Sequence, residues 1–259
     1  MTARLEDMVL VVTGAASGIG RSIAELAVAR GVRGFCLSDI DADGLSETAE
    51  RLKCDAHVET VVADLKEPVA SANIADRAIA RFGRIDGLVN AAGVTTRASF
   101  VDGTTGVWDD VFAINARSTF LLMQQAIMNM LERKAAGAIV NIQSMNAHCG
   151  HPDLAIYAAS KGAIQTLTKN AANAHLGDGI RVNGINLGWT LTDAEHRLQS
   201  EVLKQGDDWA ERAGASLPLG RLLSSTEASR LAVQLLDPIS APLTGACIDM
   251  EQWIAGAPP

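Results

Sequence analysis

Seven short runs of β-branched and other apolar residues recur along the chain, and segments with the period of amphipathic helices lie between most of them. The predicted strands are Met8–Thr13, Gly34–Ser38, Val58–Ala63, Ile85–Asn90, Ala138–Gln143, Ile180–Leu187 and Gly245–Met250. Strands joined by helical crossovers run parallel, and a parallel sheet is covered by helices on both faces. The alternation therefore predicts an α/β, doubly wound fold with a seven-stranded, mostly parallel sheet.

One segment interrupts this alternation. Residues 191–217 are polar and helical in pattern, and no strand follows them until Gly245. We call this stretch the excursion segment and expect it to form a helical lid insertion. Without a linker or repeat, the 259 residues, 48% of them hydrophobic, are expected to form a single domain spanning residues 1–259.

Composition narrows the classes of function. The net charge is −8 and the basic residues are scattered, so we expect no nucleic-acid partner. No apolar run approaches the roughly 18 residues of a membrane helix, and the first residues do not resemble a signal peptide, so a cytoplasmic protein is expected. The cysteines show neither a C-x-x-C pair nor zinc-type spacing, and no metal site is expected.

Three glycines follow the first predicted strand and open the first helix, in the order Gly14, Gly18 and Gly20. Glycine permits a tight turn and close approach to a phosphate, and a helix amino terminus offers unpaired N–H groups to an anion. The spacing G-x-x-x-G-x-G differs from the common dinucleotide fingerprint. An ordinary glycine-rich turn remains the alternative.

An acidic residue at the end of the second strand is the next expectation for a dinucleotide fold. Asp39 stands there, where its carboxylate would bond the adenine ribose hydroxyls and repel a 2′-phosphate. NAD is therefore the expected cofactor, rather than NADP. A turn or helix-capping aspartate is the alternative.

Tyr157 and Lys161 are four residues apart within a helical pattern, which places them on one face of the helix. An ammonium there favours the phenolate, so we expect the tyrosine pKa to fall and the hydroxyl to exchange a proton with an alcohol. The alternative is a buried structural tyrosine beside a solvated lysine.

Taken together, these residues resemble the motif set of the short-chain dehydrogenase/reductase family. The matching residues, in order, are Thr13-Gly14-x-x-x-Gly18-x-Gly20, Asn90-Ala91-Ala92-Gly93, Asn115, Ser144 and Tyr157-x-x-x-Lys161. The resemblance spans almost the whole chain and implies a Rossmann fold with hydride transfer between a nicotinamide cofactor and an alcohol or carbonyl.

The resemblance also implies roles for individual residues. Tyr157 would be the general acid/base, Lys161 would lower its pKa and bond the nicotinamide ribose, Ser144 would hold the substrate oxygen, and Asn115 would hold a water of the proton relay. The implied cofactor-binding residues are Gly14, Ser17, Gly18, Ile19, Gly20, Asp39, Asp64, Leu65, Asn90, Ala91, Gly93, Tyr157, Lys161, Gly188, Thr190 and Thr192. Asp64 is implied to contact the adenine ring, and the alternative role for it is to cap the amino terminus of a helix.

Several positions depart from the family pattern. Leu187 replaces the usual proline before Gly188, which puts the position of the excursion segment in doubt. Gln143 stands where a small residue is common, and Met250-Glu251-Gln252 replaces the usual Asp-Gly-Gly. Both are expected to lie near the substrate site or a subunit contact.

The residues expected around the substrate are polar. They are Ser144, Asn146, His151, Tyr157 and Trp189, with His148, Cys149 and Gly188 nearby. Polar neighbours together with Asp39 favour NAD-dependent oxidation of a sugar, polyol or other small hydroxylated molecule. The alternatives are a ketone or 3-oxoacyl reductase and, in another class, a non-catalytic dinucleotide-binding protein. By resemblance, the helix predicted over 103–133 and the helix of Tyr157 would build a homotetramer, with a dimer as the alternative.

Overall fold

The computed structural model describes residues 4–254 and contains a seven-stranded sheet in which every pairing is parallel. The sheet order is β3-β2-β1-β4-β5-β6-β9, and β7 pairs only with β8. The strands are β1 (Val9–Thr13), β2 (Gly34–Asp39), β3 (His57–Val62), β4 (Gly87–Asn90), β5 (Gly137–Ser144), β6 (Ile180–Leu187), β7 (Thr190–Leu191), β8 (Leu223–Ser224) and β9 (Cys247–Met250). The predicted fold class is confirmed.

Helices cover both faces of this sheet. They are α1 (Gly18–Ala29), α2 (Ala42–Leu52), α3 (Ala70–Phe82), α4 (Thr105–Phe112), α5 (Ser118–Glu132), α6 (Ala155–His175), α7 (Asp193–Arg197), α8 (Trp209–Ala215) and α9 (Ser225–Leu236). The core divides into two large apolar clusters, one containing residues of α1, α2 and α9 and the other residues of α3, α5 and α6.

The central strand β1 shows why both faces are covered. Leu10 and Val12 belong to the first cluster, whereas Val11 belongs to the second. Successive strand side chains point to opposite faces, so a run of apolar residues supplies both cores. Each fully buried Leu or Val contributes about 1.5–3 kcal/mol to folding.

Strand β1 lies between β2 and β4, so the chain crosses over the sheet in opposite directions on either side of it. In such sheets a crevice opens at the carboxyl ends of the strands where the order reverses. Thr13, at the end of β1, pairs with Ser38 of β2 and Asn90 of β4. The glycine-rich turn and Asp39 consequently flank this crevice.

The long helix predicted over 103–133 is interrupted. A π-helical turn at Ala113–Arg117 separates α4 from α5. π-Turns often occur at functional sites because they re-aim a side chain. Here the turn contains the fully buried Asn115.

The excursion segment leaves and re-enters the domain through one short ladder, since Thr190 and Leu191 of β7 pair with Leu223 and Ser224 of β8. Between these strands lie α7, a π-helical turn at Leu198–Val202, and α8. The helical content predicted for 191–217 is therefore present. Trp209 anchors α8 and is only 3% exposed.

Within residues 4–254, the helices lack the apolar length needed to span a membrane. The same residues hold no group of three or more His, Cys, Asp or Glu side chains arranged for a metal ion.

Candidate active site

A cavity of about 930 Å³ opens at the carboxyl ends of the strands. One end is lined by the glycine-rich turn and Asp39, the middle by Ser144, Tyr157 and Lys161, and the other end by residues of the excursion segment. A single continuous cleft thus joins the two sets of residues that the sequence singled out separately.

At two glycines of the glycine-rich turn, the neighbouring backbone lies too close to leave room for a side chain. A Cβ on Gly14 would lie 2.7 Å from the backbone nitrogen of Ala92, and one on Gly20 would collide with the carbonyl oxygen of Gly14. Ser17 precedes α1 without bonding to its first turn. The unpaired N–H groups of that turn are therefore available to an anion, and the cradle fits a pyrophosphate.

Asp39 is held in place at the end of β2. Its carboxylate accepts hydrogen bonds from the backbone N–H of Ala16 at 2.9 Å and of Asp41 at 3.1 Å. Because a carboxylate oxygen can accept more than one bond, both oxygens keep capacity for ribose hydroxyls. Nearby Arg21 is engaged with Thr48 at 2.9 Å and Glu47 at 3.1 Å, and it does not line the cavity.

Tyr157, on the first turns of α6, is 9% exposed and points into the middle of the cleft. Burial raises the pKa of its hydroxyl above 10, because the charged phenolate is poorly solvated there. A hydrogen bond with the Ser144 side chain lowers that pKa, and the negative charge of Glu195 raises it. The pKa is raised overall, so the expectation that it falls is not met in this structure.

Lys161 lies one turn further along α6, with Nζ 5.7 Å from the centre of the Tyr157 ring. Burial lowers its pKa from 10.5 to about 8, since an ammonium is costly to remove from water. Nζ donates a hydrogen bond of 3.0 Å to the carbonyl of Ile142. A lysine buried in this way changes charge around pH 8, whereas a solvated helix lysine stays charged up to about pH 10.

Asn115 holds the loop after β4 against α6. Its Oδ1 accepts from Val94 N–H at 2.9 Å, and its Nδ2 donates to the Val94 carbonyl and to Ser160 Oγ, each at 3.0 Å. Both amide protons are thereby used. The side chain positions the site, and its implied role as a water ligand stays a prediction.

Most of the predicted site residues meet in this cleft, and two do not. Asn90 and Asn115 are absent from its lining. The Asn90 amide instead donates to Asn141 at 2.8 Å within the sheet. The predicted residues that line the cleft are Gly14, Ser17, Gly18, Ile19, Gly20, Asp39, Asp64, Leu65, Ala91, Gly93, Ser144, Asn146, His151, Tyr157, Lys161, Gly188, Trp189, Thr190 and Thr192.

Two further residues expected near the substrate point elsewhere. His148 contacts Asp249 of β9, with 2.9 Å between Nε2 and Oδ1, and Cys149 is exposed. Neither lines the cleft. His151 does line the cleft, although its side chain is largely exposed, and its backbone N–H donates to Asn146 Oδ1 at 2.9 Å.

Further residues line the substrate end; the excursion segment and Glu251 were expected near it only as regions, and the others were not predicted. These additional lining residues are Val94, Thr95, Arg97, Leu154, Ala194, Glu195, Leu198, Gln199 and Glu251. Glu195 and Gln199 are spaced i, i+4 in the excursion segment, a spacing that places both on one helical face. That pattern is also typical of a solvated surface, so only the fold reveals that the face is turned inward.

Two departures from the family pattern are accommodated by glycines. A Cβ on Gly184 of β6 would collide with the Gln143 side chain, and a Cβ on Gly188 would collide with the carboxylate of Glu251. Each enlarged side chain therefore occupies space that a neighbouring glycine leaves free. Leu187 is buried and continues β6 up to Gly188.

Comparisons with known proteins agree with this geometry. A family model described as enoyl-(acyl carrier protein) reductase matches residues 14–252. D-threitol dehydrogenase of Mycolicibacterium smegmatis is 35% identical over 248 residues, covering 94% of this chain and 91% of the relative. 2-(S)-hydroxypropyl-CoM dehydrogenase 3 of Xanthobacter autotrophicus is 32% identical over 258 residues, covering 97% and 98%.

A solved structure extends the likeness to three dimensions. L-sorbose reductase from Gluconobacter frateurii, complexed with NADPH and L-sorbose, matches with a TM-score of 0.92 at 26% identity. The match covers 99% of this chain and 100% of that chain.

Proposed function

This chain belongs to the short-chain dehydrogenase/reductase family and is an oxidoreductase that acts on alcohols or ketones; from that premise we propose that it oxidises a sugar, polyol or other small hydroxylated substrate with NAD. The observation that carries the proposal is one cleft with Asp39 at one end and Ser144, Tyr157 and Lys161 at its centre. All four implied catalytic positions, including Asn115, are retained, which argues against a non-catalytic binding protein.

Proton transfer is assigned to Tyr157. In oxidation its phenolate takes the proton of the substrate hydroxyl, and in reduction its hydroxyl returns a proton to the carbonyl oxygen. Ser144, which lines the cleft together with Tyr157, holds the substrate oxygen next to the tyrosine hydroxyl. The nicotinamide, when bound, accepts or donates the hydride.

Lys161 supports that transfer by its charge. As an ammonium it stabilises the phenolate, which burial otherwise disfavours. Asn115 fixes Val94 and α6 and so keeps the tyrosine in register with the cleft. Its amide acts through position rather than by touching the reacting atoms.

The preference for NAD rests on Asp39. A carboxylate fixed by two backbone N–H groups cannot turn away from a 2′-phosphate, and like charges repel at that distance. Arg21, the arginine close to this turn, is already paired with Glu47. The solved L-sorbose reductase structure holds NADPH, so the cofactor is the point at which this chain is expected to differ from that neighbour.

The preference for a hydroxylated substrate rests on the lining of the other end. Asn146, His151, Glu195, Gln199 and Glu251 bring amide, imidazole and carboxylate groups to the cleft. Polar groups that a substrate leaves unpaired in such a site cost binding free energy, so an apolar alcohol fits poorly. Two of the relatives named above act, by their names, on a polyol or a sugar.

Reduction of a ketone or 3-oxoacyl thioester is the alternative, because the same residues operate in both directions. The family model carries the description of an acyl-carrier enzyme. Against a carrier-bound substrate stands the net charge of −8, which repels an acidic carrier protein.

Initial rates at the absorbance band of reduced nicotinamide test the proposal. NAD and NADP are each supplied with polyols, sugars, hydroxy acids and simple alcohols, and the reverse reaction is run with ketones. NADH formation with a polyhydroxylated substrate supports the proposal. Activity with NADP alone overturns the cofactor assignment, and activity only toward ketones or acyl thioesters overturns the substrate class. The Tyr157→Phe protein is the control, since it lacks the transferable proton.

We also propose that the excursion segment closes over the substrate as a lid within a single domain. Its residues line the substrate end of the cleft. Among residues 4–254, the β7–β8 ladder is separate from the seven-stranded sheet, so no strand of the main sheet holds the segment in place. Limited proteolysis should cleave it more slowly when cofactor and substrate are added. Equal cleavage rates would contradict the lid.

A homotetramer, or failing that a dimer, is the assembly we propose. Helices α4 and α5 leave large apolar side chains exposed, among them Trp108, Phe120 and Met128. Exposed apolar patches of this kind mark subunit contacts. Light scattering after size exclusion measures the mass directly, and a monomer would contradict the proposal.

A further inference from the structure

Glu195, at the substrate end of the cleft, has a carboxylate oxygen that is available to a ligand. Its Oε1 accepts two hydrogen bonds, from the Trp189 indole N–H at 2.9 Å and from the Gln199 amide at 2.8 Å. Among residues 4–254, no protein donor bonds to Oε2. One carboxylate oxygen is thus occupied by the lid itself, and the other is left to accept from a ligand.

The surroundings fix this carboxylate in space. Thr192 caps α7 by accepting from the Glu195 backbone N–H at 3.1 Å, and Gln199 lies one turn later on the same face. Trp189 is braced from behind by Trp209, whose ring centre is 5.9 Å away. A carboxylate held by neighbours in this way loses little further entropy when it binds a substrate.

The position of Glu195 relative to the reacting centre follows from two observations. It lines the same cleft as Ser144 and Tyr157. Its charge also raises the pKa of Tyr157, so it acts on the catalytic hydroxyl electrostatically. A substrate whose reacting oxygen is held by Ser144 therefore shares its cleft with Glu195.

Glu195 and Trp189 together determine which substrate groups can bind at this position. An ionised carboxylate accepts hydrogen bonds and donates none, so it recognises a hydroxyl or ammonium and repels an anion. Trp189 is 41% exposed and offers an apolar ring face on which the C–H groups of a short carbon chain can pack. The cations that line the same cleft are Lys66, Arg97 and Lys161, and the Arg97 guanidinium lies 3.7 Å from the Asp153 carboxylate.

We propose that Glu195 determines substrate specificity: Oε2 accepts a hydrogen bond from a hydroxyl or ammonium beside the carbon that is oxidised, while its charge excludes substrates with an anionic group there. The proposal deepens the proposed function and rests on it for the identity of the donor as a polyol hydroxyl. The preference for a donor over an anion follows from Glu195 alone.

A series of matched secondary alcohols tests the assignment. Butan-2-ol carries no second group, butane-2,3-diol a hydroxyl, 3-aminobutan-2-ol an ammonium, and lactate a carboxylate beside the reacting carbon. We expect the diol and the amino alcohol to exceed butan-2-ol in kcat/KM, and lactate to fall below it. Glu195→Gln should reduce the preference for the ammonium about ten- to a hundred-fold, because a hydrogen bond to a charged group is lost. It should reduce the preference for the diol several-fold.

The matched control is Glu211→Gln, the same chemical change at an exposed glutamate of α8 that does not line the cleft. It should leave all four ratios as in the wild type. Removing the Glu195 charge should also lower the pKa of Tyr157 and move the rising limb of the oxidation rate to lower pH. A residue that merely packs the lid would not move that limb.

Binding provides a readout independent of turnover. Calorimetric titration of the four alcohols into the Tyr157→Phe protein with oxidised cofactor should give affinities in the same rank order as kcat/KM. The further change Glu195→Gln should reduce the differences among these affinities. If wild-type enzyme oxidises polyols and Glu195→Gln leaves the ratios unchanged, the assignment of Glu195 is wrong and the proposed function stands. If polyols are not oxidised but the rank order depends on Glu195, the proposed function fails and the specificity role stands. Equal binding of diol and lactate overturns the assignment.

Discussion

Replacing the buried Lys161 by methionine should stabilise the folded protein while removing its activity. A pKa lowered from 10.5 to about 8 corresponds to a cost of about 3 kcal/mol, at about 1.4 kcal/mol for each pH unit. Methionine fills similar space without charge, but it leaves the Ile142 carbonyl without its donor, a loss of about 1 kcal/mol. The net gain expected at pH 7 is about 2 kcal/mol, or roughly 4–8 °C in melting temperature.

The sign of the pH dependence provides a sharper criterion. Below pH 8 both the folded and unfolded chains carry the proton on Lys161, so the wild type bears the full cost. Between about pH 8 and 10.5 the unfolded chain holds a proton that the folded chain has released, so wild-type stability rises with pH. At pH 9.5 the remaining cost is about 1 kcal/mol, and the advantage of Lys161→Met should nearly vanish.

Urea unfolding of the protein without cofactor, at pH 7 and 9.5, measures both quantities, and the difference between the proteins cancels the titration of all other groups. Lys169→Met, at an exposed position on the same helix, is the control and should change stability by less than about 0.5 kcal/mol. If Lys161→Met is no more stable than the wild type at pH 7, or if its advantage is the same at both pH values, the description of Lys161 as a costly buried ammonium is refuted.

Three further predictions concern the cofactor, the acid/base group and the sheet. Asp39→Asn should raise the ratio of kcat/KM for NADP over NAD by tenfold or more, because the charge that repels a 2′-phosphate is gone; an unchanged ratio in steady-state assays would contradict that role. Tyr157→Phe should bind NAD with wild-type affinity by calorimetry yet lose about a hundred- to ten-thousandfold in kcat, and wild-type turnover would show that the tyrosine does not take part in proton transfer. Gly184→Ala should destabilise the protein by about 1–3 kcal/mol, since its Cβ collides with Gln143; adding Gln143→Ser should restore most of the loss in urea unfolding, and purely additive effects would show that the two side chains do not compete for space.

The alternation of strands and helices was enough to predict the sheet because its signals are local. The strand predicted at Met8–Thr13 is observed at Val9–Thr13, and the helical pattern that contains Tyr157 and Lys161 is observed as α6, Ala155–His175. The break in the long predicted helix was missed because one extra residue in a turn leaves the apolar pattern nearly intact. What marks the break is the bonding of Asn115 to Val94, a contact between distant parts of the chain.

The positions of site residues are predictable where a motif lies on a regular helix or strand. They are less predictable where the path of a loop determines which side chain reaches the cleft. Tyr157 and Lys161 face the cleft because both lie on one face of α6. His148 and His151 were equally good candidates on sequence, and the path of the loop after β5 separates them. Glu195 was hidden because a glutamate in a polar helix is usually solvated, and only the fold of the excursion segment turns it inward.

The departures from the family pattern lie along the cleft and leave the implied catalytic residues unchanged. Gln143 and Glu251 are larger than the family's usual residues, and each occupies the space beside a glycine, Gly184 and Gly188 respectively. Both enlarged side chains line the cleft, as does Glu195. A cleft that admits two carboxylates and an amide at this end holds donors well and anions poorly, since uncompensated like charges cost free energy. We therefore expect the same catalytic group to act in this chain on neutral or cationic, hydroxyl-rich alcohols.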